Sequence, residues 1–276
     1  INHLFLEDAS SLIEVKAENC PYLESVHASG LTNLSSLNLT QDPNNTRLER
    51  VYVSNTALQK INEETYDDQS ANFAYRVGES ADNVTNDVQG RIMQETANLH
   101  LSLKGNSALN LLYADNNASL TTIDAHALPE LATLHAYTNP RLAGTFGGEN
   151  LLVNTTNNPD LAVLRIGDDA ITGTLNMTGF AALDSLECYN NVTYTNLITD
   201  IDVTSNSVLR HIDCANKNAT APIVNLSSGN SVSDLILPSS IVSVSATGND
   251  LHCIKPVEGG SFANLTNIEF AHNHIN

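Results

Sequence analysis

The sequence predicts a mainly-β, right-handed solenoid: short parallel strands, two 11-residue units to each coil, few helices, and a single solenoid domain over residues 1–276. Three observations predict it. Apolar residues return at 11-residue intervals, they alternate with outward residues within each unit, and the interior must be aliphatic, because aromatics are 5% of the chain and Trp is absent while 41% of residues are hydrophobic.

The unit reads L-x-x-L-x-[A/L/V/C]-x-x-N-x-x, most cleanly at Leu109, Leu112, Ala114 and Asn117 and at Leu131, Leu134, Ala136 and Asn139. Its fourth position recurs at Leu101, Leu112, Ile123, Leu134 and Thr145, and again at Leu164, Leu175, Leu186 and Leu197. Val15, Val26 and Leu37 precede these in the same spacing; Ile201, Ile212 and Ile223 follow, before the register loosens towards Ile268. Positions four and six flank one outward residue, the period-two signature of a short half-buried strand. Eleven residues cannot enclose a core, whereas roughly 20 to 29 can, so two units make a coil and odd and even units lie on opposite faces. Small sixth-position residues such as Ala28, Ala114, Ala136 and Ala246 let the faces approach.

Asn falls five positions after the fourth-position residue at Asn106, Asn117, Asn139, Asn191, Asn206, Asn249 and Asn273; Asn19, Asn55 and Asn216 come one residue earlier. An inward amide satisfies backbone groups that a tight turn leaves unpaired, and repetition in successive coils makes a structural ladder.

With 12 Lys+Arg against 31 Asp+Glu the formal charge is −19. Such a chain repels nucleic acid and anionic lipid and suits basic partners. No apolar run approaches the roughly 18 residues of a membrane span. The chain opens at Ile1, and repeat-like residues reach both termini without a polar or cysteine-flanked cap. The exposed ends are therefore expected to be covered by residues of a longer polypeptide or by end-to-end packing of subunits.

The units Leu209, Ile212, Cys214 and Asn216; Leu183, Leu186, Cys188 and Asn191; and Ile201, Val203 and Asn206 resemble leucine-rich repeats. They are closest to the short alternating repeats of bacterial secreted and surface proteins and more loosely similar to internalins. The likeness covers most of residues 1–61 and 97–276. It implies protein or glycan binding at the cell surface or outside the cell, without a fixed set of contact residues. The helix-like convex segment of longer repeats and the cysteine caps of animal receptors are missing.

Residues 62–96 lack the Leu spacing and read as a looped-out insertion, either a specific contact region or a surface excursion. Cys188 and Cys214 occupy sixth positions in neighbouring coils, roughly 5 Å apart at Cα. A bridge there would be strained, which favours two buried thiols. Acceptor sequons suited to secretion occur at Asn33, Asn38, Asn44, Asn83, Asn154, Asn176, Asn218, Asn225 and Asn264. Those at Asn117 and Asn191 are expected to point inward, while Asn38 and Asn176 should project from a strand face.

No catalytic residue and no cofactor is expected. Asp168 and Asp169 resemble the paired-Asp segment of polygalacturonases, yet the Asn-x-Asp and Gly-His-Gly companions of that family are absent, and turn chemistry explains both carboxylates. His272 and His274 share one side of an extended segment and lack a third ligand, so no metal site is expected. Outward strand positions include Lys16, His27, Tyr52, Tyr113, His135, Arg165, Glu187, Asp213 and Glu269. Tyr52, Tyr113, His135 and Arg165 are the candidate binding residues, with Tyr113 and His135 one coil apart as the best patch. The expectation is a non-enzymatic extracellular recognition or adhesion solenoid for protein or glycan partners. The alternatives are a self-assembling structural subunit of a filament or surface layer and, less favoured, a polysaccharide-active β-helix enzyme.

Overall fold

A computed structural model describes residues 1–34, 36–39, 41, 47–58, 60–62, 100–103, 106–118, 120–125, 128–148, 150–191, 196–219 and 229–274. Strands are numbered in chain order, and none of the described residues is helical. Ten three-residue strands form one parallel sheet: β1 (His3–Phe5), β3 (Ser25–His27), β5 (Arg50–Tyr52), β8 (Leu111–Tyr113), β10 (Thr133–His135), β13 (Val163–Arg165), β15 (Ser185–Glu187), β17 (His211–Asp213), β19 (Ser243–Ser245) and β21 (Asn267–Glu269). The intervening units supply a six-stranded sheet of β2 (Glu14–Lys16), β4 (Ser36–Asn38), β6 (Lys60–Asn62), β7 (His100–Ser102), β9 (Thr122–Asp124) and β12 (Leu151–Leu152). Three further strands, β11 (Ala143–Gly144), β14 (Ala170–Asn176) and β16 (Leu197–Asp202), pair with one another, as do β18 (Asp234–Leu237) and β20 (Cys253–Pro256). Alternate units thus build opposite faces.

Each inward residue meets its counterpart in the next coil. Leu112 is in register with Leu134, Leu134 with Leu164, Leu164 with Leu186 and Leu186 with Ile212, and all are buried. Full burial of such a side chain is worth about 1.5–3 kcal/mol, so the aliphatic column is the main stabilising element. The first Leu of a unit closes the turn before it: Leu109 N–H donates to Asn106 O, Leu120 to Asn117 and Leu142 to Asn139. The sixth-position N–H then donates across the sheet, as from Ala114 to His135 O and from Cys188 to Asp213 O.

The buried amides form two rows, one at each edge of the solenoid. On the edge that follows the ten-stranded sheet, Asn117 Nδ2 donates to Ala114 O and Asn139 Nδ2 to Ala136 O, while Asn117 N–H donates to Asn139 Oδ1 at 2.8 Å. The row continues through Asp169, Asn196, Asn230, Asn249 and Asn273, whose side-chain oxygens accept from the N–H groups of Asn139, Ile171, Ile198, Val232 and Leu251. On the opposite edge, Asn106 donates to Leu39 O and Leu103 O, Asn158 to Ala125 O and Leu128 O, and Asn206 to Met177 O and Phe180 O; Gln41 makes the equivalent bonds to Ala17 O and Leu39 O. The sequence spacing had merged these two rows into one.

Several positions differ from the sequence reading. Asn191 is exposed, and the row takes Asn196 in its place, whose buried amide donates to Ile166 O and Cys188 O. Thr145 is exposed: Gly144 and Gly147 adopt positive φ and turn the chain, and Leu151 takes the sheet position beside Ile123. A register shift between Gly173 and Thr174 leaves Leu197 half-buried, with Ile198 and Ile201 inward. Between the adjacent strands β5 and β8, the second face holds two strands, β7 and β6, in an order opposite to the chain, which breaks the two-unit count at that coil. Apart from Asn62, which ends β6, the insertion predicted over 62–96 lies outside the described residues. Cys188 and Cys214 are buried free thiols, and burial pushes the pKa of both up. Large exposed apolar side chains gather at the two ends of the sheet, Ile1, Phe5, Ile13 and Tyr22 at one and Ile268 and Phe270 at the other, with Val208 the exception.

Candidate recognition face

The third residue of each strand in the ten-stranded sheet points away from the core, and parallel in-register pairing stacks these residues into one row. Phe5, His27, Tyr52, Tyr113 and His135 occupy it in succession. Their rings touch throughout. Centroids lie 4.6 Å apart for Phe5 and His27, 4.5 Å for His27 and Tyr52, 5.2 Å for Tyr52 and Tyr113, and 4.0 Å for Tyr113 and His135. All contacts are stacked except the edge-on Tyr52–Tyr113 pair, and rings in these geometries contribute beyond their buried area. Phe5 opens the row and is 67% exposed. His3 joins its start through Ser25, whose Oγ lies 2.9 Å from His3 Nδ1 and 3.1 Å from His27 Nε2.

After His135 the row changes character. Arg165, Glu187, Asp213, Ser245 and Glu269 follow in register. Arg165 Nε lies 3.0 Å from Glu187 Oε1, close enough to pair electrostatically but without hydrogen-bond alignment. Burial, reinforced by the positive charge of Arg165, pulls the pKa of His135 down to about 4, so its ring is neutral at physiological pH. Beside the rings, burial pushes the carboxyl of Asp115 up to about 7, against the opposing N–H of Tyr137 and the Arg165 charge. Tyr189 packs on Gly167, and Lys217 Nζ sits 3.5 Å above its ring centroid while also pairing with Asp213 at 3.1 Å. Where the outward residues become small, at Ala215, Ser243 and Ser245, a groove of about 360 Å³ opens between His211, Asp213, Lys217 and Glu269.

The four candidate residues Tyr52, Tyr113, His135 and Arg165 are therefore brought into one continuous row. The spacing pointed to them but not to Phe5, which sits between Leu4 and Leu6 in an opening unit, nor to Asp115, Tyr137 and Tyr189, which lie beyond the strand in the turn. Of the sequon asparagines, Asn33, Asn176, Asn218 and Asn264 are exposed and Asn154 is half-buried; Asn44, Asn83 and Asn225 lie outside the described residues. Asn38 projects from β4 as its alternation requires, but it is only 2% exposed and its amide donates to Glu18, which leaves no room for an oligosaccharide.

The carboxylates of Asp168 and Asp169 face the backbone rather than a cleft. Asp168, at φ 55°, accepts the N–H of Asn191, and Asp169 accepts that of Asn139. Burial raises the pKa of both. His272 takes a turn conformation at φ 57° and does not join His274, whose Nδ1 instead lies 2.7 Å from Asp250 Oδ1 and whose ring stacks on His252.

No protein-family model matches the chain, and no curated protein does. Solved structures similar at low scores include the following three. The functional domain of InlJ from Listeria monocytogenes is 14% identical with a TM-score of 0.33, over 91% of this chain and 59% of that one. The internalin InlF of the same species is 14% identical at 0.33, over 97% and 83%, and a leucine-rich-repeat protein of Leptospira interrogans is 16% identical at 0.31, over 96% and 79%. This chain thus spans 59% of the InlJ domain. No helix among the described residues is long and apolar enough to cross a membrane. With alternate units on opposite faces, an aliphatic column and two amide rows, the chain has a leucine-rich-repeat-like, mainly parallel β-solenoid fold.

Proposed function

We infer that this protein is a non-enzymatic extracellular recognition module that binds a protein partner through the outer face of its ten-stranded sheet. The observation that carries this is the unbroken row of five rings followed by Arg165 and the acidic residues Glu187, Asp213 and Glu269. Aromatic side chains and Arg are the residues that dominate binding energy at protein interfaces. Most ring faces in the row are occupied by neighbouring rings, so edges and polar tips are what a ligand meets. That favours a protein over a glycan, since sugars stack on open ring faces. The acidic half of the row, together with the net charge of −19, calls for basic residues on the partner, whose association should weaken with salt.

The test is to immobilise the wild-type chain and the Tyr52→Ala/Tyr113→Ala variant, and to capture partners from an extracellular protein fraction and from a glycan panel in parallel. Salt-sensitive protein capture lost in the variant is expected. Capture retained by the variant, or binding confined to glycans, refutes the assignment.

The exposed apolar residues at the two ends of the sheet favour a second reading, end-to-end assembly of copies. Light scattering at high concentration separates the two, because a stable monomer counts against assembly.

A further inference from the structure

We propose that Asp250, His252 and His274 form a zinc site joining two successive coils. Each offers one ligand atom, and these atoms all lie within 4.8 Å of one another. The donor set is two imidazoles and a carboxylate, which suits Zn²⁺ and leaves a fourth position for water.

The backbone beneath the cluster is held on both sides. Asp250 and His252 donate their N–H groups back to Val232 O and Ser233 O. Leu251, between them, donates to Asn273 Oδ1 at 2.9 Å and accepts from the His274 N–H at 3.0 Å. With Leu251 buried, the side chains at 250 and 252 must emerge on the opposite side, which is where residue 274 arrives from the next coil. The two imidazoles stack with centroids 5.9 Å apart and planes 25° apart, and His274 Nδ1 lies 2.7 Å from Asp250 Oδ1. Zinc bonds of about 2.0–2.2 Å require the donors to draw closer than 4.8 Å. Both imidazoles are exposed and Asp250 is half-buried, so small side-chain rotations suffice while the backbone stays fixed. The cluster stands apart from the ring row, so its loss would leave the recognition face intact.

The test is titration of the full chain with zinc chloride, followed by calorimetry and thermal melting, with Co²⁺ as a spectroscopic stand-in. One zinc per chain, a raised melting temperature and tetrahedral Co²⁺ absorption are expected. His252→Ala and His274→Ala should each abolish the melting shift, Asp250→Asn should reduce it, and His272→Ala should retain it. Circular dichroism of the metal-free variants shows whether they are folded, as substitutions of side chains this exposed should leave them. Calcium, which prefers oxygen ligands, should leave the melting temperature unchanged. No heat and no shift with zinc, an equal shift with calcium, or a zinc shift that survives in the His252→Ala/His274→Ala variant would each overturn the proposal.

Discussion

The backbone N–H of Asn139 donates to Oδ1 of Asp169 at 2.7 Å, which places a carboxyl group in a row otherwise built of amides. Elsewhere in that row an Asn Nδ2 donates to the sixth-position carbonyl of its own unit, as Asn139 does to Ala136 and Asn249 to Ala246. Asp169 has no such hydrogen: its Oδ2 is buried without a hydrogen-bond partner among the described residues. Burial first, and then the nearby Asp115 and Asp168 charges, hold its pKa well above the ordinary value despite the Asn139 N–H. Asp169→Asn should therefore stabilise the fold by about 1–3 kcal/mol near neutral pH, since it supplies the missing amide donor and removes a carboxyl whose charged form burial disfavours. Urea denaturation at pH 7 checks this; a lower midpoint for the variant would count against the assignment.

Asp115 and His135 predict opposite responses to pH. An unfolded chain releases the Asp115 proton near 3.8, whereas the folded chain holds it to about 7, so the folded state binds more protons across that window and stability falls as pH rises through it. His135 takes up a proton near 6.5 when unfolded but only at about 4 when folded, so stability falls as pH drops from 6.5 to 4. The two oppose each other below pH 6.5, and Asp115 acts without that opposition from there to about pH 7. Asp115→Asn should leave a melting temperature that rises with pH between about 4 and 6.5 and then levels off, and His135→Gln one that falls as pH rises from about 4 to about 7.

Gly248 adopts φ +76°, and a Cβ there would lie 2.3 Å from Ala219 Cβ and 3.1 Å from Asn216 O. Both the backbone region and the space exclude a side chain. Gly248→Ala should cost about 2 kcal/mol or more, measured as a shifted denaturation midpoint.

Gly167 is confined for another reason. A Cβ would meet three atoms of the Tyr189 ring at 3.0–3.1 Å, and that ring is half-exposed and free to swing aside. Gly167→Ala should displace Tyr189 from Lys217 at a cost of only about 1 kcal/mol. Because burial pushes the phenol of Tyr189 up to about 12, its titration in ring-labelled protein should move back towards 10.

The column of Leu112, Leu134 and Leu186 was legible because an 11-residue interval and a two-residue alternation leave one face for each residue. The same alternation placed Tyr52, Tyr113, His135 and Arg165 in a row. Interval counting failed where the chain lengthens inside a coil: Asn196 enters the ladder after residues that no fixed spacing anticipates, and Asn158 follows the irregular stretch through Gly147. It also cannot weigh long-range neighbours. Asn38 is outward by alternation yet covered beside Glu18, and Asp250 and His252 meet His274 only because the next coil carries it past them, 24 and 22 residues later.

The readmission of Asn196 and Asn230 to the edge row has an engineering corollary. Asn139, Asn196, Asn230 and Asn249 stand at unequal intervals along the chain, yet each accepts a backbone N–H and keeps the hydrogen-bonded spine continuous. A designer can therefore keep the spine by placing an Asn wherever its Oδ1 meets a backbone N–H of the neighbouring unit, without holding to one repeat length.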